Sequence, residues 1–247
     1  MFSEMTTQSN LPRYVCCLRD PNQVALTFDD GPNTDQSYTE QVLKVLKDHD
    51  DTKATFFLIG EYVESRNEMV RKICAAGHAI GNHSYSHPNL ESYPDKQQVE
   101  IELEKCRDAI NRVLKGIGGS GPLFRAPYGR MGGNVLSVAR TMGLKAIFWS
   151  ADSKDYERDS RNRNQPMNAG DIVERVSAAI DLNARGEIVL LHDGCTRIEA
   201  ISQDTKGWRP NRGETVNATE ALLKMYVGKR HFVPLGPEVE MIERIAP

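Results

Sequence analysis

Short apolar runs and amphipathic stretches alternate along almost the whole chain, and this alternation constrains the fold more than any other feature. Val24–Phe28 predicts a buried strand, Ser37–Lys47 a helix with apolar residues at helical spacing, and Ala54–Ile59 the next strand. About seven such β/α units follow one another. Repeated alternation of this kind predicts a parallel sheet with helical crossovers, arranged as a barrel or as an open doubly wound sheet.

The positions of the polar residues distinguish these two arrangements. Further helices are predicted at Glu61–Ala76, Asp95–Leu114, Asn134–Met142, Ile172–Leu182 and Thr215–Val227. Further strands are predicted at Ala79–Gly81, Leu123–Arg125, Lys145–Trp149, Glu187–Leu191 and His231–Leu235. Aspartate, histidine and arginine residues follow at least five of the predicted strands. An open sheet collects its ligand residues at one crevice, whereas a barrel draws them from several strand ends. We therefore predict an α/β fold with a single barrel of about seven parallel strands.

Composition excludes several classes of partner. The 247 residues are 39% apolar and 26% charged, the balance of an ordinary globular domain. The formal charge of −3 gives no basic face, so no nucleic-acid partner is expected. No apolar run reaches the roughly 18 residues of a membrane span. The stretch MFSEMTTQSNLPRY lacks the apolar core of a signal peptide, so we expect a cytoplasmic protein, or a secreted or cell-wall protein if a leader was removed. The sequence carries no signal for an oligomeric state.

The cysteines argue against a structural metal site. They are Cys16, Cys17, Cys74, Cys106 and Cys195, and no CxxC pair occurs among them. A structural zinc finger is therefore not expected, and buried free thiols are the favoured interpretation. Disulfide formation by the adjacent Cys16 and Cys17 stays open at this stage.

Two adjacent carboxylates follow the first predicted strand, in the segment Thr27–Pro32 (TFDDGP). Like charges side by side are costly unless a metal, an arginine or a shared proton neutralises one of them. His83 and His87, spaced i and i+4 after another strand, can converge on one metal if their loop turns. With one oxygen of Asp30 they form a two-histidine, one-carboxylate set that suits zinc, iron or cobalt. The alternative is a pair of surface histidines in a polar loop.

Three later stretches carry candidate catalytic groups. Arg125 can pair with Asp29 and keep it ionised and oriented, or it can be a solvated arginine in a surface turn. Trp149–Tyr156 places two acids and an aromatic residue in one loop, where the acids can orient a histidine; the alternative is a charged surface loop. His192 ends an apolar strand and is either a general acid or base, or a core histidine bonded to a backbone carbonyl.

The motifs TFDDGP, HSYSHP, RAPYG, DSKDY and LLHDG, in this order, resemble those of the polysaccharide deacetylase family (carbohydrate esterase family four, the NodB-homology domain). The resemblance covers nearly the whole chain. It implies a distorted (β/α) barrel as the catalytic domain, at residues 24–247, after an N-terminal extension at residues 1–23. It also implies a metal-dependent hydrolase that acts on carbon–nitrogen bonds other than peptide bonds. The expected reaction removes acetyl groups from N-acetylglucosamine-containing glycans: chitin, chitooligosaccharide or peptidoglycan.

The resemblance also implies roles for the paired aspartates. Asp30, His83 and His87 would bind the divalent metal, zinc in the first place, with cobalt or another divalent ion as an alternative. Asp29 would be the general base, and Arg125 would hold it. The two neighbouring carboxylates would then have separate partners, which removes their mutual repulsion.

The remaining roles concern the leaving group and the acyl pocket. By resemblance, His192 would be the general acid, tuned by Asp155. The backbone N–H of Tyr128 would help to form the oxyanion site. Leu190 and Tyr156 would line the pocket for the acetyl methyl group.

Two features depart from the family pattern. Tyr156 stands where the family usually has tryptophan, which keeps an aromatic wall but changes the pocket. The segment Cys195–Arg212 is longer than expected, and we predict that its Trp208 borders the substrate groove. The alternative functions are an acetyl xylan esterase, a catalytically silent carbohydrate-binding relative, and an amidase for a small cyclic amide.

Overall fold

The computed structural model describes residues 14–119, 121–157, 166–182, 184–195, 211–236 and 239–243. The predicted groove residue Trp208 lies outside these ranges, as does most of the segment from Cys195 to Arg212. Among the described residues, no helix is long and apolar enough to cross a membrane.

Ten strands and seven helices alternate along the described ranges. The strands are β1 (Tyr14–Leu18), β2 (Gln23–Gly31), β3 (Thr55–Leu58), β4 (Ala79–Asn82), β5 (Leu123–Phe124), β6 (Lys145–Ala146), β7 (Ala151–Asp152), β8 (Glu187–His192), β9 (His231–Phe232) and β10 (Val239–Glu243). The helices are α1 (Tyr38–Asp48), α2 (Gly60–Ser65), α3 (Asn67–Ala75), α4 (Lys96–Val113), α5 (Gly133–Thr141), α6 (Ala169–Leu182) and α7 (Arg212–Tyr226).

Seven parallel strands, in the order β6-β5-β4-β3-β2-β8-β7, form a curled half-barrel, and β9 pairs with the start of β2. The predicted α/β barrel of about seven parallel strands is therefore confirmed. β6 and β7 stand at the two ends of this order, and the chain at residues 147–150 connects them directly. The carboxyl ends of the strands thus face one side of the molecule, where the predicted site residues lie.

The strands have an inner and an outer face, because successive side chains of a strand point in opposite directions. Leu26 and Val189 belong to the apolar cluster that the surrounding helices α1, α6 and α7 cover. Ala25, Phe57 and Ile188 belong to a second cluster that includes the interior of the barrel. Alternation from these inner positions brings Asp29 and His192, which are register partners on β2 and β8, to the carboxyl end of the interior.

Strand β1 was not predicted from the sequence. It pairs antiparallel with β10, and the Leu18 N–H donates to the Gly186 carbonyl just before β8 (2.9 Å). Cys16 and Leu18 are fully buried and pack with Ala25 and Ile188, so β1 covers the amino end of the barrel. Residues 14–18 of the predicted extension therefore pack on the barrel, while the boundary at residue 23 stays a prediction.

The predicted strand Lys145–Trp149 was wrong in extent. Only Lys145 and Ala146 pair with β5, and pairing with β8 begins again at Ala151. The carbonyls between these points have another partner, since Arg125 donates from Nε to Ile147 O (3.3 Å) and from Nη2 to Phe148 O (3.2 Å). The buried Arg125 side chain thus donates the hydrogen bonds that a neighbouring strand would donate to these carbonyls.

The predicted helix Glu61–Ala76 was also wrong, because it is two helices. Arg66 has non-helical angles (φ −129°, ψ 40°) and separates α2 from α3. Its guanidinium lies over the Tyr62 ring (4.3 Å) and donates from Nη1 to Pro32 O (2.9 Å). The break therefore ties the helices to the loop that follows β2.

The five cysteines are free thiols, three of them buried: Cys16, Cys17 and Cys106. Burial raises the pKa of the Cys106 thiol to about 12 and also raises the pKa of Cys16. Thiols with raised pKa values are poor nucleophiles, so these residues are core groups rather than reactive ones.

Candidate active site

A β-bulge at Asp30 explains how two adjacent aspartates reach one site. The register of β2 on β3 runs from Asp29–Phe57 to Gly31–Leu58, so Asp30 is an extra residue. Asp30 also has a left-handed backbone (φ 69°). In a regular strand neighbouring side chains point to opposite faces, and a bulge re-aims one of them. Asp29 and Asp30 therefore both lie at the carboxyl end of the barrel.

Asp30, His83 and His87 form a buried cluster with the composition of a metal site. Their candidate ligand atoms all lie within 4.8 Å of one another. Asp30 Oδ1 is 3.3 Å from His83 Nε2 and 3.1 Å from His87 Nε2. Burial opposes ionisation of Asp30, but the two imidazoles, His87 first, outweigh it and hold the pKa of this carboxyl well below its usual range. The cluster thus combines an anionic oxygen with two nitrogen donors.

The donor atoms fit a divalent cation. Asp30 Oδ1 is buried and accepts no hydrogen bond of normal geometry, which is a costly state for a carboxylate oxygen unless a cation contacts it. His83 Nδ1 lies 2.8 Å from Arg125 O, and a carbonyl can only accept, so Nδ1 carries the proton. In the neutral ring His83 Nε2 then carries the lone pair that a metal ligand requires, on the side of Asp30 and His87. Two histidines and one carboxylate suit zinc and leave positions for water or substrate.

Arg125 is fully buried and holds Asp29. Its Nη1 lies 2.7 Å from Asp29 Oδ1 and donates to Thr27 Oγ1 at 2.7 Å. The guanidinium also lies over the Phe57 ring, 4.3 Å from the centroid. Nε and Nη2 donate to backbone carbonyls, so all three guanidinium nitrogens have partners and the group is fixed. A fixed guanidinium in turn orients the Asp29 carboxylate that it bonds. Thr27 was not singled out in the sequence, where its hydroxyl gave no sign of this contact.

His192 and Asp155 form the second pair across the site. His192 Nδ1 lies 2.7 Å from Asp155 Oδ1, and the His192 backbone N–H donates to Asp155 Oδ2 (2.8 Å). Burial lowers the pKa of His192, but the Asp155 carboxylate outweighs burial and raises it to about 9. Burial likewise raises the pKa of Asp155, but the His192 charge outweighs it, so the net shift is downward. At neutral pH His192 is therefore an imidazolium that can donate a proton.

Two residues of α7 support this pair and were missed in the sequence. Thr215 Oγ1 donates to Asp155 Oδ2 (2.8 Å). Arg212, fully buried, donates to Gly194 O (2.8 Å) and to Asp155 O (3.2 Å). Arg212 stood in the sequence at the end of a long charged segment, so nothing in the sequence distinguished it from a solvated residue.

Tyr128 lies beside His87 of the candidate metal site. It sits in a 3-10 turn at Pro127–Gly129 with a left-handed backbone (φ 60°, ψ 11°). Its ring packs edge-on against His87, with centroids 4.8 Å apart. Gly129 follows with φ 65°, and a Cβ there would lie 2.6 Å from the Trp149 ring, so only glycine fits. This turn brings the Tyr128 ring against His87, and the oxyanion role of the Tyr128 N–H stays a prediction.

Tyr156 and Leu190 have different surroundings. The Tyr156 ring packs edge-on against His192, with centroids 5.3 Å apart, so it belongs to the site. Its hydroxyl donates to Asp152 Oδ2 (3.2 Å) and accepts from Lys154 Nζ (2.9 Å). Leu190 is a buried β8 residue whose register partner on β2 is Thr27, which places it on the inner face, one alternation below His192. The acyl-pocket role of both residues stays a prediction.

Asp193 and Gly194, directly after β8, pack under the bulge. Asp193 is fully buried, and Thr39 donates a short hydrogen bond to its Oδ2. Burial raises the pKa of Asp193 to about 7. A Cβ on Gly194 would lie 1.9 Å from Asp30 O, so the bulge requires glycine at position 194. The two residues therefore fix the backbone that carries Asp30.

Taken together, a carboxylate held by Arg125, a histidine paired with Asp155 and a two-histidine, one-carboxylate cluster meet at the carboxyl end of the barrel, where the active sites of (β/α) barrels lie. The profile of the family "Polysaccharide deacetylase" matches residues 19–147. The chain belongs to this polysaccharide deacetylase family.

Characterised relatives share both sequence and structure with the chain. The chitooligosaccharide deacetylase of Azorhizobium caulinodans is 35% identical over 193 residues, which cover 77% of this chain and 83% of the relative. A crystal structure of a peptidoglycan N-acetylglucosamine deacetylase is 29% identical, with a TM-score of 0.73 over 90% of this chain and 89% of that one. The family 4 carbohydrate esterase from Streptomyces lividans, solved with acetate, is 28% identical, with a TM-score of 0.65 over 86% of this chain and 91% of that one.

Proposed function

We propose that this protein is a metal-dependent hydrolase that removes N-acetyl groups from N-acetylglucosamine-containing oligosaccharides. The observation that carries the proposal is the bulged pair Asp29-Asp30, because each carboxylate has a separate partner set. Arg125 holds Asp29, and His83 and His87 face Asp30. The division between a metal ligand and a base is what amide hydrolysis requires of two neighbouring acids.

Asp30, His83 and His87 would hold the divalent ion, and zinc is the metal we propose, with cobalt as the alternative. When bound, such an ion supplies a Lewis acid that polarises the acetyl carbonyl and lowers the pKa of water. Asp29 accepts the proton as water attacks the carbonyl carbon. The backbone N–H of Tyr128 donates a hydrogen bond to the developing oxyanion.

Proton donation to the leaving group completes the reaction. An amine leaves an acyl centre readily only when its nitrogen is protonated. His192 gives its proton to that nitrogen as the carbon–nitrogen bond breaks, and Asp155 stabilises the imidazolium before the transfer. The products are acetic acid, which ionises to acetate, and the free amino sugar. Asp29 then loses to solvent the proton taken from water, and His192 takes one from solvent, which restores both groups.

The proposed class of glycan substrate is supported by the names of relatives and by the position of Tyr156. Relatives named chitooligosaccharide deacetylase match most of this chain, and the aromatic Tyr156 stands beside His192, where a sugar ring can pack. Acetyl xylan esterase is the nearest rival, since one relative is named a bifunctional xylanase/xylan deacetylase. A silent binding protein is disfavoured because both acid/base groups and the three proposed ligands are retained together.

Acetate release tests the proposal. Purified protein, stripped with chelator and reloaded with zinc or cobalt, is incubated with N-acetylglucosamine oligomers and, separately, with acetylated xylan. We expect release from the N-acetyl substrate only after reloading, and a loss of about 100-fold or more in Asp29→Asn. Asp108→Asn, an exposed aspartate on α4, is the matched control. Full release by the stripped protein would overturn the metal role, and faster release from xylan would favour the esterase.

A further inference from the structure

The loop that carries both candidate metal-ligating histidines, residues 83–87, has a strained backbone. Ser84 and His87 are left-handed, with φ of 62° and 59°. Non-glycine residues adopt this conformation only where the surroundings impose it. The groups that hold this loop therefore decide where the imidazoles point.

The carbonyl side of the loop is held by the first residues of α2. The Gly60 N–H donates to Ser84 O, and the Glu61 N–H donates to Tyr85 O, both at 3.0 Å. These are amides that a helix cannot satisfy internally, so the loop and the helix end satisfy each other.

The amide side of the loop is held by one carboxylate of α4. Glu102 Oε2 accepts from the backbone N–H groups of Tyr85 (3.0 Å) and Ser86 (2.9 Å), and Glu102 Oε1 accepts from Ser86 Oγ (2.8 Å). The next residue, Leu103, accepts from Asn82 Nδ2 (2.8 Å), and Asn82 Oδ1 accepts from the Ser84 N–H (2.9 Å). A single turn of α4 thus bonds to the chain on both sides of His83.

We infer that Glu102 is a positioning residue that orients His83 and His87 and thereby sets the affinity of the site for a divalent cation. Its hydrogen bonds go to Tyr85 and Ser86, which lie between the two histidines, so it acts through the loop rather than on a ligand atom. Its side chain is half-buried against the loop, whereas Glu100 on the same helix is exposed. The inference rests on the metal-dependent function proposed above, and it concerns metal binding alone.

The reason for a carboxylate follows from the hydrogen bonds. The two loop N–H groups and the Ser86 hydroxyl are all donors, so the partner must accept three times with two oxygens. An ionised acceptor also makes shorter and stronger hydrogen bonds than a neutral one. Glutamine offers one accepting oxygen, and alanine offers none, which gives a graded series of variants.

Metal affinity, measured without glycan, tests the inference. The full chain and its variants are stripped, and the Kd values for zinc and cobalt are determined by competition with a chromogenic chelator. We expect Glu102→Ala to weaken binding by about 10- to 100-fold, the range found when groups that orient metal ligands are removed. Glu102→Gln should lie between Ala and wild type, and Glu100→Ala should equal wild type. The visible spectrum of the cobalt-loaded Glu102→Ala protein should change in shape, as a shift of the ligands requires.

Each outcome decides the question. Unchanged Kd values and cobalt spectra in folded Glu102→Ala would overturn the inference. If Glu102→Ala does not fold, Glu102→Gln and Ser86→Ala replace it, and wild-type affinity in both would overturn it equally. A wild-type chain that binds metal but releases no acetate would overturn the proposed function and leave this inference standing. A wild-type chain that binds no divalent cation would overturn both.

Discussion

The protonation of His192, the proposed proton donor, depends on one buried neighbour. The Asp155 carboxylate outweighs the effect of burial and raises the histidine pKa to about 9, above the roughly 6.5 of a free imidazole. A raised pKa in the folded state adds stability that is fully present below about pH 6.5 and is lost as the pH rises through about 9. Folding therefore favours the protonated ring over this range, which is also the form that the proposed reaction uses.

Asp155→Asn should move the basic limb of the pH profile. Without the carboxylate, burial and the Arg212 charge lower the pKa of His192 and only the more weakly acting Asp30 raises it, so the limb of kcat/KM should fall from near pH 9 to about pH 6.5 or lower. Acetate release measured from pH 5 to about 10 checks this. Asp108→Asn should leave the limb in place. A limb that stays near its wild-type position in Asp155→Asn would show that another group donates the proton.

At the residue scale, the sequence indicated the groups that have chemistry of their own and missed those that support them. Asp29, Asp30 and His192 are identifiable because acids and imidazoles directly after apolar strands are unusual. Thr27 and Glu102 carry no such signal, since a threonine in a strand and a glutamate on a helix are ordinary. Their roles depend on side-chain directions that only the folded chain defines.

The bulge in β2 depends on the turn after β8. Gly194 allows the Asp30 backbone to approach closely, and the Asp193 N–H donates to Asp29 O (3.2 Å). The two strand ends thus pack backbone against backbone, and the element that supplies His192 also shapes the element that supplies Asp30.

Gly194→Ala should disrupt this approach. Its Cβ would meet Asp30 O at 1.9 Å, so the bulge must shift. We expect a destabilisation of about 1–3 kcal/mol and a metal Kd that is weaker by an order of magnitude or more. Urea unfolding and chelator competition measure the two effects. Gly133→Ala, whose Cβ would meet nothing within 4 Å, is the control, and equal behaviour of the two variants would contradict the prediction.

At the element scale, long amphipathic helices were predictable, and two-residue strands were not. The helical period of α4 fixed it to within a residue or two, because many positions repeat the pattern. β6 and β7 have two residues each, and their limits depend on Arg125 bonding to the carbonyls of Ile147 and Phe148. The Arg125 side chain, distant in sequence, takes the role of hydrogen-bond donor that a neighbouring strand would otherwise have. The local sequence around residues 145–152 gives no indication of such a contact.

At the scale of the whole molecule, β1 covers the end of the barrel at which its parallel strands begin. Its pairing with β10 joins residues 14–18 to residues 239–243, near the two ends of the described chain. The alternation of strands and helices in the middle of the sequence predicted the barrel. The pairing of β1 with β10 joins segments that are far apart in sequence, so no local pattern predicts it. β1 lies at the opposite end of the strands from the candidate catalytic groups.

Leu18→Ala should separate stability from catalysis. Leu18 is fully buried between β1 and the amino end of the barrel, so its truncation should cost about 2–5 kcal/mol of unfolding free energy. Leu182→Ala, at a side chain that is 85% exposed, should change stability by no more than about 0.5 kcal/mol. Urea unfolding measures both. Metal Kd and kcat should stay at wild-type values, and a large loss of either in folded Leu18→Ala would show that the cover reaches the site.

The bulged aspartates also differ from the other site residues in how their spacing is fixed. Asp29 and Asp30 are consecutive on one backbone, so covalent geometry limits the distance between them. His83 and His192 are carried by the ends of β4 and β8, so their distances to this pair depend on packing between strands. In the proposed reaction, one dipeptide therefore sets the spacing of base and metal ligand, whereas strand packing sets the spacing of base and proton donor.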